Sequence, residues 1–395
     1  MKTGTPDAPP RRPALIFCDK QTGGLKIAAL TLLDRLVVAI HRAGASPITI
    51  VTCKPLPALK RTKALGITVQ LNSEPPVRDG TTLVAASNIL VQTADVRTLL
   101  LQGGRLATKD GRALPLGVLA PGEEPRKLGI EFGVPSSHGP RTARPEGGTP
   151  SQTIGSIIAA GIAYPVTDPA TAREAERALW ASLTSSSDGL VDRVFNRPCG
   201  RFLSKVLIYT PVSPNAVSLA SIVIGLGAAG GFAWGSHQAI ILAAILFQLS
   251  AIVDCVDGDL ARVLFKESPL GKWLDLAGDQ VVHIAVFAGI AAGLMRGGAA
   301  PFALWLGTSA VLGALLSFAV VLRGMRLPAG EQTQGLQKLI DAATNRDFSV
   351  LVLLLACINR LEWFLWMSAI GSHVFWVTAL ALQRRSGAGV RTRPP

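Results

Sequence analysis

Cysteine is scarce and placed for no shared task. Cys18, Cys53, Cys199, Cys255 and Cys357 lie far apart, are odd in number and form no CxxC pair. That excludes a zinc-finger or disulfide framework and reads as small buried apolar residues in a reducing, cytoplasmic setting. Charge is also thin, at 16% of residues, and one-sided: 39 Lys and Arg against 26 Asp and Glu, a formal net charge of +13. Neither a basic patch interleaved with aromatics nor a familiar nucleic-acid motif accompanies it, so nucleic acid is not the expected partner. Basic residues beside membrane helices explain the excess through the topology rule and anionic lipid. The opening MKTGTPDAPPRRPALIF lacks the unbroken apolar core of a secretory leader, and none is expected.

What is present divides sharply. Residues 1–200 mix charge, Pro and Gly as a soluble domain does, whereas 214–383 are dominated by apolar runs. After a Pro-rich basic tail at 1–12, expected to be disordered, short apolar runs at 13–18, 46–52, 67–71 and 81–87 read as strands. They alternate with helical patterns at 27–43, 56–66 and 93–102, which implies a parallel sheet with helices on both faces. Residues 121–150 form a long Pro- and Gly-rich loop, and Asp168–Pro169 starts a helix. Residues 186–212 carry Leu190, Val194, Phe202, Val206 and Leu207 on one side, and Arg193, Arg197, Arg201 and Lys205 among the polar positions. With Pro198 and Gly200 as interruptions, this predicts two pieces of an interfacial helix on the cytoplasmic leaflet.

A helix crosses about 30 Å of hydrocarbon in ~20 residues. Six spans are expected, at about 214–235, 238–262, 272–295, 300–322, 346–361 and 363–383. Arg323, Arg326, Lys338, Arg346, Arg384, Arg385, Arg391 and Arg393 fall on one side, and His237, Arg296 and Arg360 on the other. The positive-inside rule puts both termini in the cytoplasm. The expected layout is therefore a two-domain chain. The tail is followed by an α/β domain (13–185), a juxtamembrane helix (186–212), a six-helix transmembrane bundle (213–385) and a basic tail (386–395). Gly227 and Gly231, four apart, permit close helix contact inside the bundle or between protomers. His237, His283 and His373 read as interfacial or packing residues.

Between the second and third spans stands DCVDGDLARVLFKESPLGKWLDLAGD, spaced D-x2-D-G-x2-A-R-x8-G-x3-D-x3-D. Asp254 with Asp257, and Asp275 with Asp279, each share a helix face if both flanks are helical. Two such faces turned together make a four-carboxylate box, suited to divalent cations through oxygen ligands. Gly258 lets a nucleotide approach the backbone, Ala261 keeps the next turn small, and Arg262 can pair with phosphate oxygens. Asp259, Lys266 and Glu267 fall outside the pattern and are expected to face solvent.

The unbroken spacing resembles the signature of the CDP-alcohol phosphotransferases, integral membrane enzymes. They move a phosphoryl-alcohol group, phosphatidyl in many members, from a CDP-alcohol to a second alcohol and release CMP. The resemblance implies Asp254, Asp257 and Asp275 as metal ligands, with Asp279 near a second metal and serving as general base. It assigns Gly258, Ala261, Arg262 and Gly271 to the cytidine-diphosphate site. It further implies Mg²⁺ or Mn²⁺, a donor such as CDP-diacylglycerol, a homodimer, and a role in phospholipid or inositol-lipid synthesis at the inner (plasma) membrane. Arg197, Arg323, Arg326 and Arg346 are candidate cations for a phosphorylated acceptor such as a polyol phosphate.

The strand–helix order of the first half and its GGLKIAALTLLDRLVVAIHRAG stretch resemble the cytidylyltransferase fold, found fused to such membrane modules in bifunctional inositol-phosphate cytidylyltransferases. An active member has a glycine-rich loop with a basic residue after the first strand and a metal-binding Asp near the fourth. Here CDKQTGGLK and LVAASNIL stand instead, so an inactive domain is expected. Asp19, Lys20, Gly23, Gly24 and Lys26 remain as a candidate nucleotide turn. Two readings compete with an enzyme: a cation transporter lined by the acids, and an inactive membrane scaffold.

Overall fold

The computed structural model describes residues 12–130, 155–184, 189–299, 301–326 and 348–391, with side chains to Arg384 in the last helix. Two compact units, Met1–Ser182 and Leu183–Pro395, are considered separately. Most of the tail expected at 1–12, the 131–150 part of the long loop, Lys338 and Arg346 lie outside the described residues.

In the first unit the strands are β1 (Ala14–Phe17), β2 (Lys26–Ile27), β3 (Leu30–Thr31), β4 (Ile48–Val51), β5 (Val69–Asn72) and β6 (Thr82–Ala86). They continue with β7 (Ile89–Val91), β8 (Gly104–Ala107), β9 (Ala113–Leu119), β10 (Ser156–Ile158) and β11 (Ala163–Pro165). Seven of them form one sheet in the order β10-β8-β9-β6-β1-β4-β5. ALIF of β1 and ITIV of β4 are buried throughout, as strands covered on both faces must be. β5, β4, β1 and β6 run parallel, as expected. β9 does not: it is antiparallel to both β6 and β8. The cause is the tight turn after β8, where Thr108 N–H bonds Arg112 C=O and Gly111 takes φ 78°. A connection that short can only reverse the chain.

Helix α1 (Lys20–Gly23) is one turn, and α2 (Leu32–Ala43) begins later than the apolar spacing predicts. Residues 26–31 form the β2–β3 ribbon, turned by Ala28 and Ala29 at φ 47° and 68°. Two successive left-handed residues make a tight hairpin, and alanine does not advertise one. Buried Arg35 satisfies the turn by donating Nε to Ile27 C=O (2.7 Å) and Nη2 to Ala28 C=O (2.9 Å). Burial lowers its guanidinium to about 10, with Glu176 and Asp34 opposing the shift. Asp34 accepts from Arg61 N–H, Thr62 N–H and Thr62 Oγ and so starts α3 (Lys60–Ala64). α4 (Thr93–Gln102) follows, and Asp95 holds the Ala160 and Gly161 N–H groups. α5 (Pro169–Ala181) opens on the predicted Asp168 cap, closed as a capping box with Thr171.

The second unit opens with a helix from Leu190 that passes through a π-helical stretch at Asp192–Asn196 into α6 (Arg197–Leu207). Pro198 and Gly200 were expected to break it and do not. The π stretch takes up the register just before Pro198, whose missing N–H has no partner to lose. Gly200 packs tightly, since a Cβ there would stand 3.1 Å from Cys255 Cβ.

Five helices among the described residues are long and apolar enough to cross a membrane. They are α7 (Pro214–Trp234), α8 (His237–Val263), α9 (Pro269–Leu294), α10 (Phe302–Met325), and, after the shorter α11 (Phe348–Cys357), residues 361–384 of α12 (Leu361–Arg391). The expected span at 346–361 is thus α11, with ten described residues, and Asn359 at φ 54° turns the chain into α12. α7, α8 and α9 each begin on a serine, Ser213, Ser236 and Ser268, whose hydroxyl accepts an N–H of the first turn.

Small residues let α7 and α9 meet: a Cβ at Gly289 would collide with Ala229 C=O, and one at Gly293 with Phe232 C=O. The Gly227–Gly231 pair singled out in the sequence is not this contact. Gly227 faces outward, while Gly231 packs on Ala243 of α8. Exposed Leu219, Val223, Leu242, Ile245, Trp305 and Val374 give the bundle the apolar outer surface that lipid requires.

Candidate metal and nucleotide site

The eight signature positions fall on the last turns of α8 and the first turns of α9, which the Leu264–Ser268 connection joins. The helical spacing works as expected for three of the four acids. Asp254, Asp257 and Asp275 each bring a carboxylate oxygen within 4.8 Å of the others. Asp254 and Asp257 are buried at 7%, and Asp275 is exposed at the rim. Asp279 stands outside this trio. It lines a small adjoining cavity with Asp254, Ser221, Ser250, His283 and Ser349. Asp254 is common to both places. Next to Asp279, Gly278 packs against Ile222 of α7, where a Cβ would collide with that side chain.

Beside the trio opens a cavity of about 200 Å³. Gly258, Ala261, Arg262 and Gly271, the four residues expected at a nucleotide, all line it together with Asp257 and Asp275. Gly258 leaves room for the Arg262 guanidinium, whose Nη2 lies 3.3 Å from where a Cβ would be. Gly271 sits 3.0 Å, on the same measure, from Asn215 Oδ1 at the start of α7. Lys266, Glu267 and Lys272 also line the cavity, so Lys266 and Glu267 are not the plain solvent residues expected. Asp259 departs further, being completely buried. Its position one turn from Arg262 and against α6 gives it cations to pair with, and these offset the cost of burying a carboxylate.

Sequence reasoning missed the serines of α7. Ser218 donates to Asp257 Oδ2 in a short bond, and Ser221 donates to Asp254 Oδ1 at 3.3 Å. Both are buried. Their three-residue spacing at the start of an apolar helix, S-L-A-S, was the available signal. Of the candidate acceptor cations, Arg323 and Arg326 are exposed at the end of α10, Arg197 faces Asp259, and none of the three lines either cavity. His283 touches Phe348 edge-on at 5.1 Å between ring centres. His373 accepts from Trp376 Nε1 at 2.9 Å and lies 3.3 Å from Ser309 Oγ, a packing role between α10 and α12.

The oxygen-only set of three carboxylates fits a hard divalent cation such as Mg²⁺ or Mn²⁺ rather than zinc or copper. The cations of Arg262, Lys266 and Lys272 beside it suit a diphosphate.

Comparison with known proteins agrees. The family model described as CDP-alcohol phosphatidyltransferase matches residues 211–382. The chain is 27% identical over 327 residues to the "Bifunctional IPC transferase and DIPP synthase" of Rubrobacter xylanophilus, covering 70% of this chain and 74% of that protein. A protein of the same name from Archaeoglobus fulgidus is 28% identical over 217 residues, 54% of this chain and 41% of its own length. Among solved structures, Mycobacterium tuberculosis phosphatidylinositol phosphate synthase with CDP-DAG bound aligns at 15% identity and TM-score 0.35, over 48% of this chain and 94% of that one. The same enzyme in complex with manganese and citrate aligns at 16% identity and TM-score 0.34, over 46% and 87%. Residues 211–382 thus match the CDP-alcohol phosphatidyltransferase model, and the protein is a multi-pass membrane transferase of the CDP-alcohol phosphotransferase type, with a CDP-alcohol donor and an alcohol acceptor.

Proposed function

We propose that the bundle transfers a phosphatidyl-type group from CDP-diacylglycerol to a polyol phosphate such as inositol phosphate, releasing CMP. The observation that carries this is the convergence of Asp254, Asp257 and Asp275 at the edge of a cavity whose other walls carry Gly258, Arg262, Lys266 and Lys272. The matched relatives are also named for a transferase joined to a synthase.

In this reading the cytidine diphosphate lies in the larger cavity, its phosphates against Arg262, Lys266 and Lys272 and its nucleoside near Gly258, Ala261 and Gly271. Asp254, Asp257 and Asp275 would hold one divalent cation, and with Asp279 a second. Ions held by these residues would supply charge neutralisation of the diphosphate and of the oxygen departing as CMP. Asp279 accepts the proton of the acceptor hydroxyl, whose oxygen attacks the β-phosphorus as the bond to CMP breaks. Ser218 and Ser221 fix the carboxylates of Asp257 and Asp254. Arg323, Arg326 and Arg346 are kept as candidate cations for the phosphorylated acceptor at the cytoplasmic face of the inner membrane.

The layout we adopt keeps 13–185 as a cytidylyltransferase-like domain without transferase activity, 186–212 as a helix in the membrane interface and 213–385 as six spans. The inactive assignment is supported by the β1–α1 turn, where a Cβ at Gly23 would stand 3.1 Å from Ser87 Oγ and 3.2 Å from Cys18 Sγ. Gly23 is closely packed there, so the turn has no space for a larger side chain at that position. The membrane interface suits the helix that runs from Leu190 into α6, whose Leu190, Val194, Phe202 and Val206 are all more than half exposed. The protein is taken to act as a homodimer with both termini in the cytoplasm.

The test is CMP release from CDP-diacylglycerol by the full chain in vesicles, against a panel of alcohols and polyol phosphates with Mn²⁺ or Mg²⁺. Release that needs both metal and a polyol phosphate is expected. Metal flux without nucleotide would favour a transporter, although the acids cluster toward one end of α8 rather than at mid-span. CTP-dependent nucleotidyl transfer by the same protein would overturn the inactive assignment.

A further inference from the structure

Asp259 belongs to no position of the signature, yet no residue in the region is more enclosed: it is 0% exposed. Its Oδ1 receives two guanidinium groups, Arg262 Nη2 from one turn along α8 at 3.3 Å and Arg197 Nη1 from α6 at 3.4 Å. The Ser204 hydroxyl, also buried and on α6, donates to Oδ2 at 3.4 Å. The two arginines differ in surroundings. The Arg197 side chain is 16% exposed, that of Arg262 is 42% exposed and lines the larger cavity. Among the described residues only Nη2 of Arg262 is bonded, which leaves Nε and Nη1 as donors toward the cavity. An exposed arginine otherwise has large rotamer freedom to lose on meeting a phosphate, and a fixed guanidinium loses less.

We propose that Asp259 is a positioning residue for donor binding: its carboxylate holds the Arg262 guanidinium back over Gly258 so that the remaining donors meet a phosphate of the CDP-alcohol. Arg197 and Ser204 hold Asp259 from the other side, which gives Arg197 a supporting role in place of the acceptor-binding role expected from the sequence. This rests on the reading above that the larger cavity receives the cytidine diphosphate.

The test uses the full chain in vesicles, with CMP release followed against CDP-diacylglycerol concentration at saturating Mn²⁺ and acceptor. Asp259→Asn keeps the shape and removes the charge. The donor KM is expected to rise about tenfold, with kcat within about threefold and the Mn²⁺ requirement unchanged. Arg262→Lys is expected to raise the donor KM about tenfold in the natural protein but no more than about twofold in the Asp259→Asn background, because the two residues act as one unit. Multiplicative effects, or an Asp259→Asn protein that loses kcat and thermal stability with the donor KM unchanged or lowered, would reduce Asp259 to a clamp between helices and overturn the proposal. If Asp259→Asn does not accumulate, Asp259→Glu carries the same cycle, and multiplicative effects there overturn it equally. A natural protein that releases no CMP sinks the function reading instead, so the two failures are told apart.

Discussion

The two halves of this chain bury charge for opposite purposes. In the α/β unit each buried charge is matched by backbone. Asp34 accepts two N–H groups and a hydroxyl, Asp95 accepts the N–H groups of Ala160 and Gly161, and Arg35 donates to two carbonyls of a hairpin. In the bundle Asp254 and Asp257 accept serine hydroxyls and converge on Asp275, beside an open cavity. Backbone partners leave a carboxylate nothing to offer a ligand, whereas like-charged neighbours leave it in need of a cation. What surrounds a buried acid therefore separates a scaffold role from a chemical one.

Mutation can break that contrast. Asp254→Asn or Asp257→Asn should lower CMP release by at least about a thousandfold, with the protein still extracted as a folded species, and Asp279→Asn by about a hundredfold or more. Equal residual turnover in all three would dissolve the distinction between the trio and its neighbour. Asp34→Ala makes the opposite case. It strands two N–H groups at the start of α3 and should destabilise the α/β unit by about 2–4 kcal/mol, seen as earlier proteolysis of that unit. CMP release measured on intact protein should change by less than about twofold. Gly289→Val tests the bundle's packing, since the side chain meets Ala229 C=O; a loss of about 2–3 kcal/mol in thermal stability is expected.

The smallest effect is electrostatic and confined to the α/β unit. Backbone N–H of Thr171, then the Thr167 hydroxyl, lower the Asp168 carboxyl below its usual value, and Ala120 N–H with Lys127 does the same for Glu123. A carboxylate depressed by folding stabilises the fold above its unfolded pKa, near 4, and that support disappears as pH falls through the folded value. Unfolding followed from pH 5 to pH 2 should therefore show a shallower acid loss in Asp168→Asn. An unchanged slope would remove the cap from the account.

Much of this was readable in advance, for physical reasons that also explain the misses. Apolar runs announce β1, β4 and β6 and the spans because burial is a property of the segment itself. The carboxylate spacing put Asp254 and Asp257 on one face of α8 because helix geometry converts sequence distance into direction, and the short connection to α9 brings Asp275 to them. Asp279 lies outside the trio, because how α9 is set against its neighbours is decided by contacts between distant segments and not by spacing along one helix. The β2–β3 hairpin stayed hidden because Ala28 and Ala29 hold a conformation that alanine rarely adopts. The burial of Asp259 depended on α6 lying across α8, which no local pattern encodes.

The helix entering α6 turns Asp192, Asn196, Gly200 and Ser204 inward and its oily residues outward. Asn196 bonds Asp192 at 2.7 Å and receives Gln248 of α8 at 2.5 Å. Peeling it away would therefore strand amides and acids in a dry environment while wetting Phe202 and Leu190. Such a segment cannot swing free into water as a tether between soluble and embedded parts. It travels with the bundle, and a detergent that strips the lipid beneath it must supply a greasy surface of its own or see particles stick together along that ridge.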